Sequence, residues 1–265
     1  MCPTKYQAVI PNWQPAPISV EASTEEVHLW LASIDIAAAD VELLHGILTN
    51  DERERAARFH FERDRNRFIA GRGLLRILLG GYLRKPPADI SFTYNPNGKP
   101  FVRGLEDHFD FNLSHSGGLA LYAFTLGHRI GVDVECLDRE LEVESLASRF
   151  FSVQEVAALM ALPPHHRRKA FFDCWTRKEA YIKARGEGLS FGLKDFSVSV
   201  APSDPPALLN VSQEPKEAER WRYLPIDAGP SYAAAAAVEG KMNPRTRYWR
   251  FRQEILNKNL NGVPA

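Results

Sequence analysis

Two short strings of like chemistry constrain this chain more than anything else in it. Thr49-Asn-Asp-Glu52 and Ser152-Val-Gln-Glu155 both read as capping boxes, with a hydroxyl at the N-cap and a glutamate three residues on. Each therefore opens a helix. After each comes a break, then a long helical pattern carrying charges on an apolar scaffold. In the first, over about 64–83, Phe68, Leu75, Leu78, Leu79 and Tyr82 give a core face, and Arg65, Arg67, Arg72 and Arg76 supply the charge. In the second, which follows Pro163-Pro164 and ends at Gly186, Phe171, Cys174, Trp175, Tyr181 and Ile182 recur at helical spacing. Strand-like runs surround both: Val27-His-Leu-Trp-Leu-Ala-Ser-Ile34, Ile90-Ser-Phe-Thr-Tyr94, the run 109–115 and Leu119-Ala-Leu-Tyr-Ala-Phe-Thr125, then Ile130–Glu135, 196–200, 221–224 and 232–238. The pattern predicts an α+β fold, a pseudo-twofold pair of similar halves with a site at their interface, where ligand clefts tend to form. The expected division is an extended, proline-containing lead-in (1–24), an N-terminal half (25–128), a C-terminal half with the acidic residues (129–240), and a basic tail (241–265) closing in a helix over 248–260.

Composition narrows the function. The 265 residues carry equal numbers of acidic and basic side chains, so there is no global pull toward nucleic acid or an anionic membrane. No apolar run reaches membrane-spanning length; the alanine-rich run 232–238 is far too short and reads as a buried strand of small side chains. Cys2, Cys136 and Cys174 are scattered, form no disulfide framework, and favour a reducing, cytoplasmic setting. No Cys/His spacing supports zinc. The N-terminus lacks a charged-then-apolar signal pattern.

The chemistry concentrates in two places. In Gly131-Val-Asp-Val-Glu135 the two-residue side-chain period puts Asp133 and Glu135 on one strand face. In the second long helix Glu179 and Lys183 stand one turn apart. Taken singly, the first is an exposed polar strand face and the second a surface ion pair. Together they offer three oxygen ligands on two rigid elements, a set suited to Mg²⁺ (or Mn²⁺) with phosphate oxygens completing the shell. Asn97-Gly-Lys-Pro100 sets Lys99 just after a tight turn, in a posture for phosphate capture or in an ordinary hairpin. The arginines from Arg53 to Arg76 read mostly as a solvated face balanced by Asp51, Glu52, Glu54, Glu62 and Asp64, with a few free to grip phosphate through the planar guanidinium. Ser114 and His115, at a strand end before Gly117-Gly118, read as contacts to an anionic ligand or, for the histidine, as structural. With no G-x-S-x-G elbow, they do not make a serine hydrolase. Glu155 has its capping role alone.

Taken in series, Asn97-Gly-Lys-Pro100, Phe111-Asn-Leu-Ser-His-Ser116, Gly131-Val-Asp-Val-Glu135, Arg149-Phe-Phe-Ser-Val-Gln-Glu155 and Trp175-Thr-Arg-Lys-Glu-Ala-Tyr-Ile-Lys183 resemble the 4′-phosphopantetheinyl transferases, in particular the two-half, monomeric, surfactin-synthetase-activating type. The resemblance runs from about residue 50 to about residue 200. It implies transfer of the phosphopantetheine arm of coenzyme A to a serine of apo acyl or peptidyl carrier proteins, with adenosine 3′,5′-bisphosphate as the other product. It also implies Mg²⁺ on Asp133, Glu135 and Glu179, with Glu179 as general base, directly or through a metal-bound water, and Lys183 beside the leaving phosphates. Arg55, Arg72, Lys99, Ser114, His115, Asp133, Lys178 and Lys183 carry over as coenzyme A contacts. One position departs: Glu52 stands where the family can have a basic residue, which shifts the 3′-phosphate grip toward Arg55, Arg72 and His115. The first rival is a metal-dependent pyrophosphohydrolase acting on coenzyme A-like nucleotides. The second, a nucleic-acid module on the Arg53–Arg76 helices, leaves the acidic residues unexplained.

Overall fold

The computed structural model describes residues 12–17, 20–188, 191–212, 214–240, 244–252 and 254–256. Along it run β1 (Gln14–Pro15), β2 (Glu26–Ser33), α1 (Ala38–Gly46), α2 (Asn50–Ala57), α3 (Glu62–Leu83), β3 (Phe92–Tyr94), β4 (Pro100–Val102), β5 (Phe109–Ser116) and β6 (Leu119–Leu126). Then follow β7 (Ile130–Cys136), α4 (Val143–Phe150), α5 (Val153–Met160), α6 (Pro164–Arg185), β8 (Phe196–Val198), β9 (Leu208–Val211), β10 (Trp221–Leu224), β11 (Tyr232–Glu239) and β12 (Arg245–Arg250). From β2 to β6, and again from β7 to β11, helices and strands come in the same order. Their pairings repeat too. β6 lies between β2 and β5 as β11 lies between β7 and β10, antiparallel throughout, and β3–β4 is matched by the hairpin-like pair β8–β9.

The capping boxes explain why the repeat is so close. Thr49 N donates to Glu52 Oε2 at 3.1 Å, and Ser152 N donates to Glu155 Oε2 at 2.8 Å, opening α2 and α5. Each glutamate then does a second job, as the counter-ion of a cation buried on the long helix behind it. Arg76 Nε donates to Glu52 at 2.6 Å and Arg76 Nη1 to the carbonyls of Pro87 and Ile90, both at 2.9 Å. Lys178 Nζ donates to both Glu155 oxygens at 2.7 Å and to the carbonyl of Phe196 at 2.8 Å. Arg76 and Lys178 are each the fifteenth residue of a helix of 22 residues. A buried charge is tolerable only when paired and hydrogen-bonded, and both are.

Three apolar clusters hold the halves. One lies between α3 and the sheet β2–β6–β5, one between α6 and β11–β10, and a third joins the two sheets back to back through Val27, Leu29 and Leu31 of β2 and Ile130, Val132 and Val134 of β7. The opposite face of β7 therefore turns toward α6. There Gly131 is required: a Cβ at that position would fall 2.1 Å from the carbonyl of Ala180 and 2.3 Å from Ala184 N, so the helix crosses directly over the strand. The alanine run is a strand, as its small side chains predict, and Ala233, Ala235 and Ala237 present a low surface to the same helix.

The tail differs from its reading. Tyr248, Trp249 and Arg250 are in β12, not in a helix. β12 runs parallel to β2 with Trp249 opposite Trp30, and these two rings lie 4.9 Å apart. β12 thus closes the otherwise unpaired edge of β2, with β1 outside it. Residues 254–256 have helical backbone. Residues 251 and 252 are not helical, and 253 and 257–260 of the expected helix, together with Cys2, Pro3 and Pro11 of the lead-in, lie outside the described residues.

Candidate active site

The outer edge of β7 has no backbone ladder. Polar side chains at every second position of β5 take its place. Ile130 N donates to Asp110 Oδ2 at 2.9 Å, Val132 N to Asn112 Oδ1 at 2.9 Å, and Cys136 N to Ser116 Oγ at 3.0 Å. The constant separation of 20 residues means that the two strands run parallel. This seam joins the halves and fixes where β7 presents its acids. Ser114 Oγ donates to Asp133 Oδ1 at 2.8 Å, and Ser116 Oγ to Glu135 Oε2 at 2.7 Å.

From α6, Lys183 Nζ reaches Asp133 Oδ1 at 2.6 Å and Ser114 Oγ at 3.1 Å. It turns to the strand rather than to Glu179 one turn earlier, so the simple helix-surface pair does not form. Glu179 is half-buried and accepts no hydrogen bond among the described residues. Burial pushes its carboxyl above the ordinary range, the charges of Asp133 and Glu135 push it further, and Lys183 opposes them. Of the three carboxylates predicted to share a site, Glu179 on α6 thus feels the charges of Asp133 and Glu135 on β7.

Among the described residues, no three His, Cys, Asp or Glu side chains close on one point as a metal cage. Lys183 sits on Asp133, and Arg139 Nη1 sits on Glu135 Oε2 at 3.2 Å. The donor set nonetheless fits a hard cation. All three groups are carboxylates, their mutual repulsion is what a divalent ion relieves, and Asp133 Oδ2 is buried with no partner.

Next to this cluster is a cavity of about 270 Å³ between α2, α3 and the end of β5, lined by Arg55, Arg72, His115, Asp51, Glu52 and Tyr94 among others. Arg72 is held ready by three contacts. Its Nε donates to Glu52 Oε1 at 2.5 Å, its Nη2 donates to the Tyr94 hydroxyl at 3.1 Å, and its guanidinium lies 4.0 Å from the centre of the Phe92 ring. Burial works against the Glu52 charge, but Arg76 and Arg72 hold its carboxyl below the ordinary range. The departure at Glu52 is thus the anchor of two arginines. Arg55 is exposed, lies over Phe68, and has no carboxylate partner among the described residues. His115 opens to the cleft, and the protein around it, then Lys183 and Arg67, hold its imidazole below the usual value.

Two predicted contacts are elsewhere. Lys99 does not face the cavity. Its ammonium spends all three hydrogens on Asp110 Oδ2 (2.7 Å) and the carbonyls of Ile130 (3.2 Å) and Ala184 (3.3 Å), pinning the hairpin turn to both β7 and α6. Burial pushes the Asp110 carboxyl up and the Lys99 ammonium down, and their contact opposes both shifts. Lys178 is fully buried on Glu155, on the side of α6 away from Glu179, so it cannot position a pyrophosphate. Three arginines of the cluster are spent internally: Arg53 on the carbonyls of His45 and Gly46, Arg67 on Asp35, Arg76 on Glu52. Asp110, Asn112, Ser116 and Arg139 were not singled out from sequence. The alternation in Asp110-Phe-Asn-Leu-Ser-His-Ser116 was the available signal.

A family model described as the 4′-phosphopantetheinyl transferase superfamily matches residues 129–237, and one described as 4′-phosphopantetheinyl transferase, N-terminal, matches residues 36–126. Among curated proteins, the chain is 38% identical over 242 residues to the 4′-phosphopantetheinyl transferase HetI of a Nostoc species, covering 91% of this chain and 98% of that one. It is 31% identical to a phosphopantetheinyl transferase of a Thraustochytrium species, over 93% of this chain and 89% of the relative. It is 34% identical over 157 residues to the 4′-phosphopantetheinyl transferase Sfp of Bacillus subtilis, covering 59% of this chain and 68% of that one.

Proposed function

This chain belongs to the 4′-phosphopantetheinyl transferase superfamily, and from that premise we propose that it moves the 4′-phosphopantetheine arm of coenzyme A to a serine hydroxyl of an apo acyl or peptidyl carrier protein. The products are holo-carrier protein and adenosine 3′,5′-bisphosphate. The observation that carries the reading is the placement of three carboxylates and Lys183 directly beside an arginine- and histidine-lined cavity. Coenzyme A has the matching layout, a phosphate on its nucleotide end and a pyrophosphate between that end and the arm.

Arg55, Arg72 and His115 take the nucleotide-end phosphate. Arg72 costs little to order because Glu52, Tyr94 and Phe92 already hold it. The pyrophosphate then lies along Lys183 and the acidic cluster. Asp133, Glu135 and Glu179 would hold Mg²⁺, with Mn²⁺ fitting the same oxygen donors, and the ion supplies charge neutralisation at the pyrophosphate. In the transfer, the carrier serine oxygen bonds to the phosphorus that bears the arm, and the bond from that phosphorus to the bridging oxygen breaks. The electron pair leaves on adenosine 3′,5′-bisphosphate, where Lys183 stabilises it. Glu179 takes the serine proton as general base.

The pyrophosphohydrolase alternative uses the same carboxylates on water. The relatives above are named as transferases, which favours an acceptor other than water. Because one chain supplies both sides of the cleft, the working unit is a monomer. A cytoplasmic setting suits Cys136 and Cys174, which are free, and no helix among the described residues is long and apolar enough to cross a membrane. Intact mass spectrometry of an apo carrier protein incubated with the enzyme, coenzyme A and Mg²⁺ tests the proposal. Gain of one phosphopantetheine arm, abolished by EDTA, is expected. Unchanged mass across acyl and peptidyl carriers would overturn it.

A further inference from the structure

Two carboxylates two residues apart on β7 meet two serines two residues apart on β5, and each pair makes the same pattern. Ser114 Oγ donates to Asp133 Oδ1, and the same oxygen receives Lys183. Ser116 Oγ donates to Glu135 Oε2, and the same oxygen receives Arg139. In both cases the second oxygen is left over. Asp133 Oδ2 is buried without a partner, and Glu135 Oε1 accepts no hydrogen bond among the described residues.

We infer that Ser116 is a positioning residue that fixes the carboxylate plane of Glu135 and so sets the affinity of the site for its divalent cation, an inference that rests on the metal-dependent reading above. The terminal torsion of a glutamate is broad and nearly two-fold, so an untethered carboxylate spreads its oxygens over many directions. Ser116 removes that freedom. Its oxygen accepts from Cys136 N at 3.0 Å, and a hydroxyl has one hydrogen, which goes to Glu135. The hydroxyl itself cannot drift. The next residue, Gly117, turns with φ +58°, and a Cβ there would already lie 3.1 Å from the Tyr232 hydroxyl and 3.5 Å from Cys136 Cβ. Ser116 does not line the arginine cavity proposed for the nucleotide end, so the cation and the nucleotide-end phosphate can be read separately. Hydrogen-bond partners of metal ligands commonly matter by one to two orders of magnitude in affinity.

The test is a Mn²⁺ titration of the full-length protein with coenzyme A and no carrier, read as free Mn²⁺ by electron paramagnetic resonance, so that no turnover is involved. The wild type binds Mn²⁺; if it does not, the metal-dependent reading fails and this inference with it. Ser116→Ala binds about tenfold more weakly, and Ser116→Thr, which keeps the hydroxyl, recovers the wild-type value. In a Glu135→Ala background, adding Ser116→Ala changes nothing further, because Ser116 acts through Glu135. Wild-type affinity in Ser116→Ala would overturn the inference while leaving the transferase reading intact. So would an undiminished further loss in the double variant, which marks a structural effect on the strand.

Discussion

Lys178 precedes Glu179 in a signature that reads as catalytic, yet its ammonium is sealed in the C-terminal half. Replacing it with methionine keeps length and removes charge, and the buried surroundings decide the outcome. Glu155 retains the N–H groups of Ser152 and Val198, each at 2.8 Å, but loses the cation that contacts both of its oxygens. The pair is 0% and 1% exposed, so no water replaces the missing partner. Stranding one member of a buried pair costs about 3–5 kcal/mol, a large part of the roughly 5–15 kcal/mol that holds a typical domain. The melting temperature should fall on the order of 10 °C. Adding Glu155→Gln removes the stranded charge at the expense of part of the helix cap, about 1 kcal/mol, so Lys178→Met/Glu155→Gln should be more stable than Lys178→Met alone. Urea unfolding followed by tryptophan fluorescence gives the stabilities. The KM for coenzyme A, measured where each variant is folded, gives the second axis. The expected result is a lower urea midpoint with an unchanged KM. A wild-type midpoint with a raised KM would refute the reasoning and return Lys178 to the coenzyme A contacts.

Three other outcomes rest on the same geometry. Glu179→Gln keeps shape and removes the base, so the rate of holo-carrier formation should drop about 10²- to 10⁴-fold; near-normal turnover would sink the assignment. Arg72→Ala should raise the KM for coenzyme A about tenfold or more, as loss of a charged hydrogen bond does, with a smaller effect on dephospho-coenzyme A; equal effects on both would remove the phosphate from this cavity. His28 is buried, accepts from the Tyr82 hydroxyl at 2.8 Å through Nδ1, and donates through Nε2 to Glu26 at 3.1 Å, while the Tyr82 oxygen accepts from Trp30. Burial holds its imidazole below the usual value against the pull of Glu26. The unfolded chain therefore binds the proton first, so this contribution is complete above the unfolded pKa of about 6.5 and is lost as pH falls through the lower folded value. Thermal melts across that range should show a steeper acid-side decline for the wild type than for His28→Gln, and parallel curves would contradict the linkage.

Local patterns made much of the fold legible in the sequence, and three-dimensional partners supplied the rest. The twin capping boxes foretold the paired halves, since an N-cap followed three residues later by glutamate depends on nothing distant. The shared face of Asp133 and Glu135 follows from strand period alone, whereas the need for Gly131 shows only once α6 crosses β7. The site of Lys178 was also legible: each residue turns a helix about 100°, and Lys178 lies one turn from Cys174 and one from Ile182, both buried, while Glu179 faces away. Its charge masked its place in the apolar stripe. Lys99 was not legible, because what buries it is Asp110 on another strand and two backbone carbonyls. The β5–β7 seam was hidden for the same reason: a polar alternation shows that one face is special without showing that it faces another strand's amides. The tail reads as a helix from sequence because the ring of Trp249 in β12 packs edge-on against His28 and tilted against Trp30, contacts that exist only once the edge of β2 is in place.

The measurement that tests the central claim most directly is the stoichiometry of adenosine 3′,5′-bisphosphate against modified carrier, with chromatography for the nucleotide and intact mass for the protein. Equal molar release, with none when the carrier is omitted, is predicted for a cleft that uses Glu179 on a serine hydroxyl. Release of the nucleotide in the absence of carrier, at the rate seen in its presence, would contradict the account and make water the acceptor.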